Sequence, residues 1–256
     1  MSSPAAEIAR LEPWFHNLHL PGDVQTAPHH PLGDFPRRVW LRIAPHLPED
    51  LSGWTVLDIG CNAGFYTFEL ARRGGDVTAI DVNPHYLQQA QWAAAYLGLL
   101  RQVTFHQMQI YDLARHNRQF DLVWFMGVFY HLRYPLLGLD IAARKTRRLM
   151  VFQSMSMPGQ DVCDVPEDFG LDNRHILLQR GWPAMAFVEH RLADDPTNWW
   201  VPNHACIEAL LRSSGLANIR CIIPEVYLCE PNQPLHRGGM SELLDQEYIA
   251  ATGSGS

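Results

Sequence analysis

The stretch from Trp54 to Asp81 constrains the fold more than any other part of the 256-residue chain. It reads WTVLDIGCNAGFYTFELARRGGDVTAID: a short apolar run, a turn of small residues, a helical segment, and a second apolar run that ends on an acid. Short apolar runs bounded by turn residues indicate buried strands, and glycines mark turns. The order strand, glycine turn, helix, strand predicts a Rossmann-like α/β sheet.

The turn in this stretch predicts a bound nucleoside cofactor. Without side chains at Gly60 and Gly64, backbone N–H groups and a helix N-terminus can approach a polar ligand, and Asp81 can accept two ribose hydroxyls. A dinucleotide site would have the pattern G-x-G-x-x-G, whereas this turn has acid-x-G-x-x-x-G. The acid, Asp58, would repel a pyrophosphate but can hold an ammonium group. The pattern therefore favours S-adenosylmethionine over a nicotinamide dinucleotide.

Three separated segments resemble motifs of the class I S-adenosylmethionine-dependent methyltransferases: VLDIGCNAGFYTFELARRG, AIDVNP and FDLVWFMGVFYHLRYPL. Within that class, the chain resembles the branch of the tRNA wobble-uridine carboxymethyltransferases, most closely over about residues 36–155. The resemblance implies a Rossmann-like sheet of seven mostly parallel strands with helices on both faces. It also implies S-adenosyl-L-methionine as the cofactor. A doubly wound domain with another ligand, or with none, is the alternative.

The length predicts one core domain with additions rather than two large domains. We expect an N-terminal flap over residues 1–36 and a methyltransferase core over residues 37–252. An irregular segment rich in prolines, acids and aromatics, residues 155–202, is expected to be an insertion after the fifth strand that covers the substrate. Residues 253–256 have the composition of a linker.

The resemblance also implies further cofactor contacts. Residues after the third strand flank the adenine in this fold, which indicates Gln109 and Ile110, with Asp112 as either an acceptor for the exocyclic amine or a helix cap. Met126 and Tyr130 stand where the related branch contacts its cofactor. The full predicted cofactor set is Asp58, Gly60, Asn62, Gly64, Asp81, Gln109, Ile110, Met126 and Tyr130.

Candidate catalytic and substrate-contacting residues follow the fourth strand or lie in the two covering segments. His131 could act as a general base near neutral pH or could merely order its loop, and Glu189 and His190 are the other candidate bases. The side chains expected to contact the acceptor are Trp14, His16, His29, Trp199 and Trp200. The alternative is that these aromatics only pack their own segments. No metal site is expected, because the adjacent His29 and His30 point apart.

The chain departs from the wobble-uridine branch where that branch holds the carboxylate of its modified cofactor. The resemblance places a tryptophan and a lysine just before the helix that starts near Arg37. Those places are occupied here by about Asp34 and Val39. Ordinary methyl transfer is therefore expected instead of carboxymethyl transfer.

Charge and cysteine usage set expectations for partners and location. The chain has 20 Lys and Arg against 27 Asp and Glu, a formal net charge of -7, which argues against a nucleic-acid partner because phosphate neutralisation dominates such binding. We therefore expect methyl transfer to an oxygen or nitrogen of a small molecule, such as a sugar or natural product. Modification of a tRNA wobble uridine is the alternative, and a non-catalytic cofactor-binding module is a third reading.

Five scattered cysteines without a C-x-x-C pair predict reduced thiols in a cytoplasmic protein. No apolar run is long enough for a membrane span, so no membrane association is expected. The sequence leaves the oligomeric state open.

Overall fold

The computed structural model describes residues 3–232 and 240–253. Of the expected linker at 253–256, residues 254–256 lie outside the described part of the chain. The strands, in chain order, are β1 (His19–Leu20), β2 (Val24–Gln25), β3 (Thr55–Ile59), β4 (Asp76–Asp81), β5 (Val103–Gln107), β6 (Phe120–Met126), β7 (Thr146–Gln153), β8 (Met185–Phe187), β9 (Trp200–Pro202), β10 (Leu216–Ile223) and β11 (Val226–Pro231).

The α-helices are α1 (Pro4–Arg10), α2 (Phe35–Ile43), α3 (Phe65–Arg72), α4 (Pro84–Leu97), α5 (Pro135–Lys145), α6 (His204–Ser213) and α7 (Met240–Thr252). Their ends follow local chemistry. The side chains of Asn83 and Asn203 cap α4 and α6 by accepting backbone N–H bonds from His85 and Cys206, and Gly98 ends α4 in the left-handed conformation.

Seven strands form the central sheet in the order β10-β11-β7-β6-β3-β4-β5. The pairs β3–β4 and β4–β5 are parallel, whereas β11 pairs antiparallel with both β7 and β10. Most positions of β3 and β6 are buried and apolar, apart from Asp58 and Asp121, as is typical of parallel strands covered on both sides. The predicted Rossmann-like, mostly parallel seven-stranded fold is confirmed.

The chain divides into two compact units. The first comprises the described residues up to Asp112 together with Phe120–Trp124, and the second comprises Leu113–Gln119 and the described residues from Phe125 onward. Strand β6 therefore begins in the first unit and ends in the second. In the first unit, α3 and α4 pack on the parallel strands; in the second, α5 packs on β7 and α6 on β10.

The N-terminal segment belongs to the first unit and is fastened to α4. The buried Gln89 side chain donates from Nε2 to the carbonyl oxygens of Leu11 (2.7 Å) and Pro13 (2.9 Å). Trp14 is buried edge-on against Trp92, with ring centroids 5.9 Å apart. Its indole N–H donates to the carbonyl of Ile8. The segment is held by specific hydrogen bonds as well as by packing.

The segment at 155–202 lies in the second unit and contains little regular structure. It has a 3-10 helical stretch at Leu171–Leu178 and the two-stranded antiparallel sheet of β8 and β9. Most of its residues between 158 and 180 are exposed. The sequence predicted this irregularity correctly. It contained no indication of α7, which follows the weakly patterned residues after Pro231.

Candidate functional site

The glycine turn after β3 satisfies its own backbone donors. The N–H groups of Gly60 and Cys61 both donate to the carbonyl of Ile80, at 2.8 and 3.0 Å. The N–H of Asn62 donates to Oδ2 of Asp81, and that of Ala63 to Oδ1 of Asn62, while Gly64 donates to the carbonyl of Cys61. The sequence suggested that these donors face a ligand; instead, all five have partners within the unit.

Two carboxylates accompany this turn. Asp58 is 2% exposed and Asp81 8% exposed. Thr67 of α3 donates its hydroxyl proton to Oδ2 of Asp58 at 2.5 Å, and Asp81 accepts backbone N–H bonds from Asn62 (2.9 Å) and Asn83 (2.8 Å). Each oxygen of a carboxylate can accept two hydrogen bonds, so both acids keep capacity for a ligand.

Burial controls the titration of these acids. It raises the pKa of Asp58 to about 7, against the opposing hydrogen bond from Thr67, and the charge of Asp81 raises the pKa further. Burial also raises the pKa of Asp81, although its backbone hydrogen bonds oppose the shift. A buried acid of this kind is stabilised in its charged form by a cation. The first unit therefore has a turn that offers negative charge and acceptor oxygens instead of donors for a phosphate.

The turn needs its glycine at position 64. Gly64 has φ +90° as the N-cap of α3, and a Cβ built on it would lie 2.6 Å from Cζ of the buried Phe68. Gly60 and Asn62 also have positive φ, at 74° and 50°. Asparagine enters this region more readily than most residues. These three conformations together produce the sharp path from β3 into α3.

The histidines of the N-terminal segment differ in their surroundings. His16 is buried against the rings of Phe65 and Tyr66, which begin α3. Its Nδ1 has no hydrogen-bond partner among the described residues, and burial together with His30 lowers its pKa to about 3. His29 is exposed. Of the predicted acceptor contacts in this segment, Trp14 and His16 are thus buried in the first unit and His29 is at its surface.

The residues after β5, which are predicted to border the adenine, differ in their exposure. Ile110 is buried, whereas Gln109 is exposed. The N–H of Gln109 donates to Oδ2 of Asp112 at 3.2 Å, and the N–H of Asp112 donates to the carbonyl of Gln109 at 3.1 Å. Asp112 therefore caps the short 3-10 stretch Ile110–Arg115, as one of the two alternatives for this residue predicted.

In the second unit, β6 runs into a loop shaped by Gly127. The N–H of Gly127 (φ +71°) donates to Oε1 of Gln153 at 2.8 Å. Met126 and Tyr130 are half-buried at the two ends of this loop. Burial, together with the charges of Glu225 and Asp195, raises the pKa of Tyr130 to about 12, so its hydroxyl stays protonated.

His131 forms a hydrogen-bonded cluster with two residues of the insertion. Its Nδ1 lies 2.8 Å from Oγ1 of Thr197, and Thr197 donates its hydroxyl proton to Oδ1 of Asp195 at 2.6 Å. Asp195 Oδ2 is 3.8 Å from the same imidazole nitrogen. Burial lowers the pKa of His131, against the opposing charge of Asp195 and a hydrogen bond from the imidazole to the backbone of Thr197. The imidazole is therefore neutral near pH 7.

The other candidate residues of the insertion lie around β8 and β9. Glu189 and His190 are exposed. Trp199 stacks on Phe187, with centroids 6.3 Å apart and planes 6° apart, and the guanidinium of Arg133 lies 5.2 Å from the Trp199 ring. The indole N–H of Trp200 donates to the carbonyl of Leu132 at 3.1 Å. Both tryptophans are half-buried, and Phe187 is exposed at the edge of the stack.

Several residues of these clusters were not singled out in the sequence. Thr67, Gln153, Asp195 and Thr197 have no motif of their own and acquire their partners only in the folded chain. Thr197 stands 66 residues after His131 in the chain. In the sequence, only the two tryptophans of the PTNWW segment, which contains Thr197, indicated that this region could be functional.

Within residues 3–232 and 240–253, no three histidine, cysteine or acidic side chains are grouped as they would be to hold a metal ion. None of the helices in this described part of the chain has the length and apolar character needed to cross a bilayer.

Comparison with known proteins supports the predicted fold and class. Residues 56–149 match the family described as "Methyltransferase domain". The tRNA U34 carboxymethyltransferase of Pseudomonas fluorescens (strain SBW25) is 29% identical over 220 residues, covering 83% of this chain and 61% of the relative. That of Pseudomonas putida (strain W619) is 31% identical over 187 residues, covering 72% and 51%. The chain thus spans between one half and two thirds of the length of these relatives.

Solved structures share the fold at low sequence identity. The N-terminal domain of EvdMO1, crystallised in the presence of SAH and D-fucose, has a TM-score of 0.55 and 18% identity, covering 88% of this chain and 92% of that chain. The [4+2]-cyclase SpnF has a TM-score of 0.53 and 17% identity, covering 84% and 68%. These likenesses concern the fold alone.

The predicted class and its cofactor, S-adenosyl-L-methionine, are confirmed at the level of the family. The family match falls on the stretch from which the class was predicted, and the curated relatives are the branch that the sequence resembles. The chain carries a methyltransferase domain over residues 56–149, and it is similar to the class I S-adenosylmethionine-dependent methyltransferases and, within that class, to the tRNA U34 carboxymethyltransferases.

Proposed function

We propose that the chain transfers a methyl group from S-adenosylmethionine to an oxygen or nitrogen acceptor. The observation that carries this proposal is the turn after β3, where two buried acids stand beside five backbone N–H groups that already have partners. Such a turn suits a cofactor that is cationic and carries hydroxyl donors, and it disfavours a phosphate ester. The sulfonium of S-adenosylmethionine supplies an activated methyl group, so the protein mainly has to orient the acceptor and remove its proton.

Within the first unit, we assign Asp58 to the methionine ammonium and Asp81 to the ribose hydroxyls. Gly60, Asn62 and Gly64 would give the close backbone approach, and Ile110 with Gln109 would border the adenine. In the second unit, Met126 and Tyr130 are proposed as further cofactor contacts and His131 as the base. Glu189 and His190 are weaker candidates for the base, because both are exposed.

For the acceptor, we propose a tRNA wobble uridine as the first candidate. The curated relatives, named as tRNA U34 carboxymethyltransferases, support this candidate over the small molecule expected from charge alone. Methyl transfer is preferred over carboxymethyl transfer on local grounds. Asp34 stands where the resemblance calls for a residue that holds a carboxylate, and its Oδ2 is engaged with His19 at 2.7 Å. A second carboxylate there would be repelled.

A small-molecule acceptor, such as a sugar or natural product, is the second candidate. It is favoured by the net charge of -7 and by the exposed acids of the insertion, including Asp161, Asp164 and Glu167. Because a fold of this class supports varied chemistry, the fold itself does not choose between acceptors. The proposal includes a cytoplasmic location, which fits the five cysteines, all free thiols in the structure.

The cofactor assignment can be tested by calorimetric titration with S-adenosylmethionine and S-adenosylhomocysteine. Asp81→Ala should weaken binding of both by about 10- to 100-fold, because hydrogen bonds to a charged acceptor contribute about 1.5–3 kcal/mol. Glu49→Ala removes an exposed acid of the same unit and should leave binding unchanged. Thermal melts would show whether Asp81→Ala remains folded. Unchanged affinity in a folded Asp81→Ala protein would refute the assignment.

The acceptor can be tested with tritiated S-adenosylmethionine and tRNA lacking the wobble modification. Transfer of label to U34, with tRNA affinity that falls linearly on a log scale as salt is raised, would support the tRNA candidate. Absence of both tRNA binding and labelling, with transfer to small hydroxyl compounds, would favour the second candidate. Cofactor binding without transfer to any acceptor would favour the non-catalytic reading.

A further inference from the structure

We propose that Asp195 and Thr197 are positioning residues that fix the tautomer of His131, placing its proton on Nδ1 and its lone pair on Nε2. This inference rests on the proposed function, since it deepens the role of His131 as the base. All three residues belong to the second unit. The position of the proton can nevertheless be measured without any turnover.

The single proton of the Thr197 hydroxyl determines which nitrogen of His131 is protonated. Oγ1 of Thr197 lies 2.6 Å from Oδ1 of Asp195 and 2.8 Å from Nδ1 of His131. An ionised carboxylate can only accept, so a 2.6 Å contact requires the hydroxyl to donate to Asp195. The hydroxyl oxygen is then an acceptor toward His131. Its Nδ1 must therefore carry a hydrogen, which leaves Nε2 as the unprotonated nitrogen.

The charge states needed for this tautomer are supported by the environment. Burial alone would raise the pKa of Asp195, but the hydrogen bonds from Thr197 and the nearby His131 lower it overall, so the acid is ionised near neutral pH. Burial lowers the pKa of His131, as described above, so that its imidazole is neutral there. The charged and titratable groups that act on this part of the loop are Asp195, the neighbouring Tyr130 and Glu225.

The loop that carries Thr197 is itself fixed. Oδ1 of Asp195 also accepts the backbone N–H of Thr197 at 2.7 Å, which closes a tight local turn. The backbone N–H of Trp199 donates to the carbonyl of Tyr130 at 2.9 Å, and the Asn198 side chain donates to the carbonyl of Leu192 at 2.8 Å. Thr197 is thus held on both sides, and its hydroxyl faces the imidazole without needing to reorient.

This arrangement has a chemical consequence for proton removal. An acceptor O–H or N–H would give its proton to Nε2 while its lone pair forms the new bond to the methyl carbon, and the carbon–sulfur bond electrons would remain on sulfur. The imidazolium that results would be stabilised by Asp195, whose Oδ2 is 3.8 Å from Nδ1. That distance is too long for a direct hydrogen bond, so Asp195 acts through Thr197 and through its charge.

The proton can be located by long-range ¹H–¹⁵N correlation spectra of the intact chain labelled with ¹⁵N-histidine. His131 would be assigned by the loss of its signals in His131→Gln. We expect a protonated Nδ1 and an unprotonated Nε2 at neutral pH. Thr197→Val, which removes the acceptor, and Asp195→Ala, which frees the hydroxyl to donate to His131, should both shift the proton toward Nε2. Thr197→Ser should retain the wild-type pattern.

Matched controls make the outcome decisive. Thr104→Val removes an exposed threonine hydroxyl from β5 and should leave the His131 signals unchanged. A wild-type His131 with its proton on Nε2 would overturn the inference, as would a folded Thr197→Val protein that keeps the wild-type tautomer. Neither of these spectra requires an acceptor molecule.

The second part of the test measures turnover, with unmodified tRNA and S-adenosylmethionine as the substrates. Thr197→Val should lower kcat by about tenfold or more, with little change in the KM for S-adenosylmethionine, because misplacing a base removes part of the acid–base contribution. Thr197→Ser should restore most of kcat. If wild type shows no transfer to tRNA, that acceptor assignment fails, whereas the tautomer result still decides this inference.

Discussion

The glycine turn of the first unit and the histidine cluster of the second both contain carboxyl groups, but the pKa values of these groups are shifted in opposite directions. Asp58 and Asp81 are buried, and burial raises their pKa values. Asp195 has a side chain 41% exposed, and hydrogen bonds from Thr197 outweigh its burial and lower its pKa. In the turn, the charged forms of the buried acids would be stabilised by a cation. In the cluster, Asp195 stays charged near neutral pH and orients the hydroxyl of Thr197.

The two regions also differ in how the chain specifies them. Five successive backbone groups build the turn, between Gly60 and Gly64. Its acids are the next-to-last residue of β3 and the last residue of β4, two adjacent parallel strands. The cluster instead joins His131 to Thr197, 66 residues away, and to Asp195 on the same loop. A local pattern therefore specifies the turn, whereas only the tertiary fold specifies the cluster.

The largest effect should come from removing the base. His131→Gln should lower the rate of methyl transfer by about 100- to 10,000-fold, the usual contribution of general acid–base catalysis, while S-adenosylmethionine binding stays near wild type. The measurement is label transfer to the acceptor under single-turnover conditions, alongside calorimetry. His106→Gln, which replaces an exposed histidine on β5, is the control. A wild-type rate in His131→Gln would leave the cluster with a purely structural role.

Two buried groups of the first unit should give the stability curve opposing slopes with pH. The pKa of Asp58 is raised to about 7, so the folded protein binds more protons than the unfolded chain between pH 3.8 and 7, and the free energy of unfolding falls as pH rises. The pKa of His16 is lowered to about 3, so between pH 3 and 6.5 the free energy of unfolding falls as pH drops. Where both windows overlap, the two effects should largely cancel.

Single variants should separate these slopes. Asp58→Asn leaves the His16 effect, so stability should fall on acidification; His16→Phe leaves the Asp58 effect, so stability should rise on acidification. Each change uncovered in this way is on the order of 5 kcal/mol at most over its window. Urea denaturation of the cofactor-free protein between pH 4 and 7 provides the measurement. Parallel pH profiles for both variants would contradict the assigned burial effects.

A smaller effect is expected from Gly64→Ala. The φ of +90° and the 2.6 Å approach of a new Cβ to the Phe68 ring should together lower the free energy of unfolding by about 3 kcal/mol. Gly98→Ala is the control, because its φ is +72° but nothing lies within 4 Å, so that strain alone should cost about 1 kcal/mol. Equal losses in the two variants would show that the Phe68 contact relaxes freely.

The smallest effect is expected from Arg133→Ala, which removes the guanidinium from the Phe187 and Trp199 rings. An exposed cation–π contact contributes about 0.5–1 kcal/mol, so the midpoint of urea denaturation should move only slightly. Arg174→Ala, which truncates another exposed arginine of the insertion, should be neutral. A loss of several kcal/mol would mean that this aromatic stack is central to the stability of the insertion.

The sequence predicted the frame of the fold because its signals are local. The stretch Trp54–Asp81 predicted a strand, a glycine turn, a helix and a second strand, and β3, α3 and β4 occupy it in that order. The use of the turn's N–H groups was not foreseen, because the carbonyl of Ile80 arrives from the neighbouring strand β4. The partners of His131 were not foreseen either, since nothing in PTNWW marks a threonine as facing an imidazole.

The amide of Gln89 has a consequence for where this protein can be shortened. Its side chain is fully buried on α4, and both of its carbonyl acceptors belong to the N-terminal segment. A version that began at the core, near residue 37, would leave this amide without those two acceptors and would uncover the face of Trp92 on which Trp14 rests. Removal of the first 36 residues should therefore destabilise the buried surroundings of Gln89, although this residue lies far along the chain from the cut.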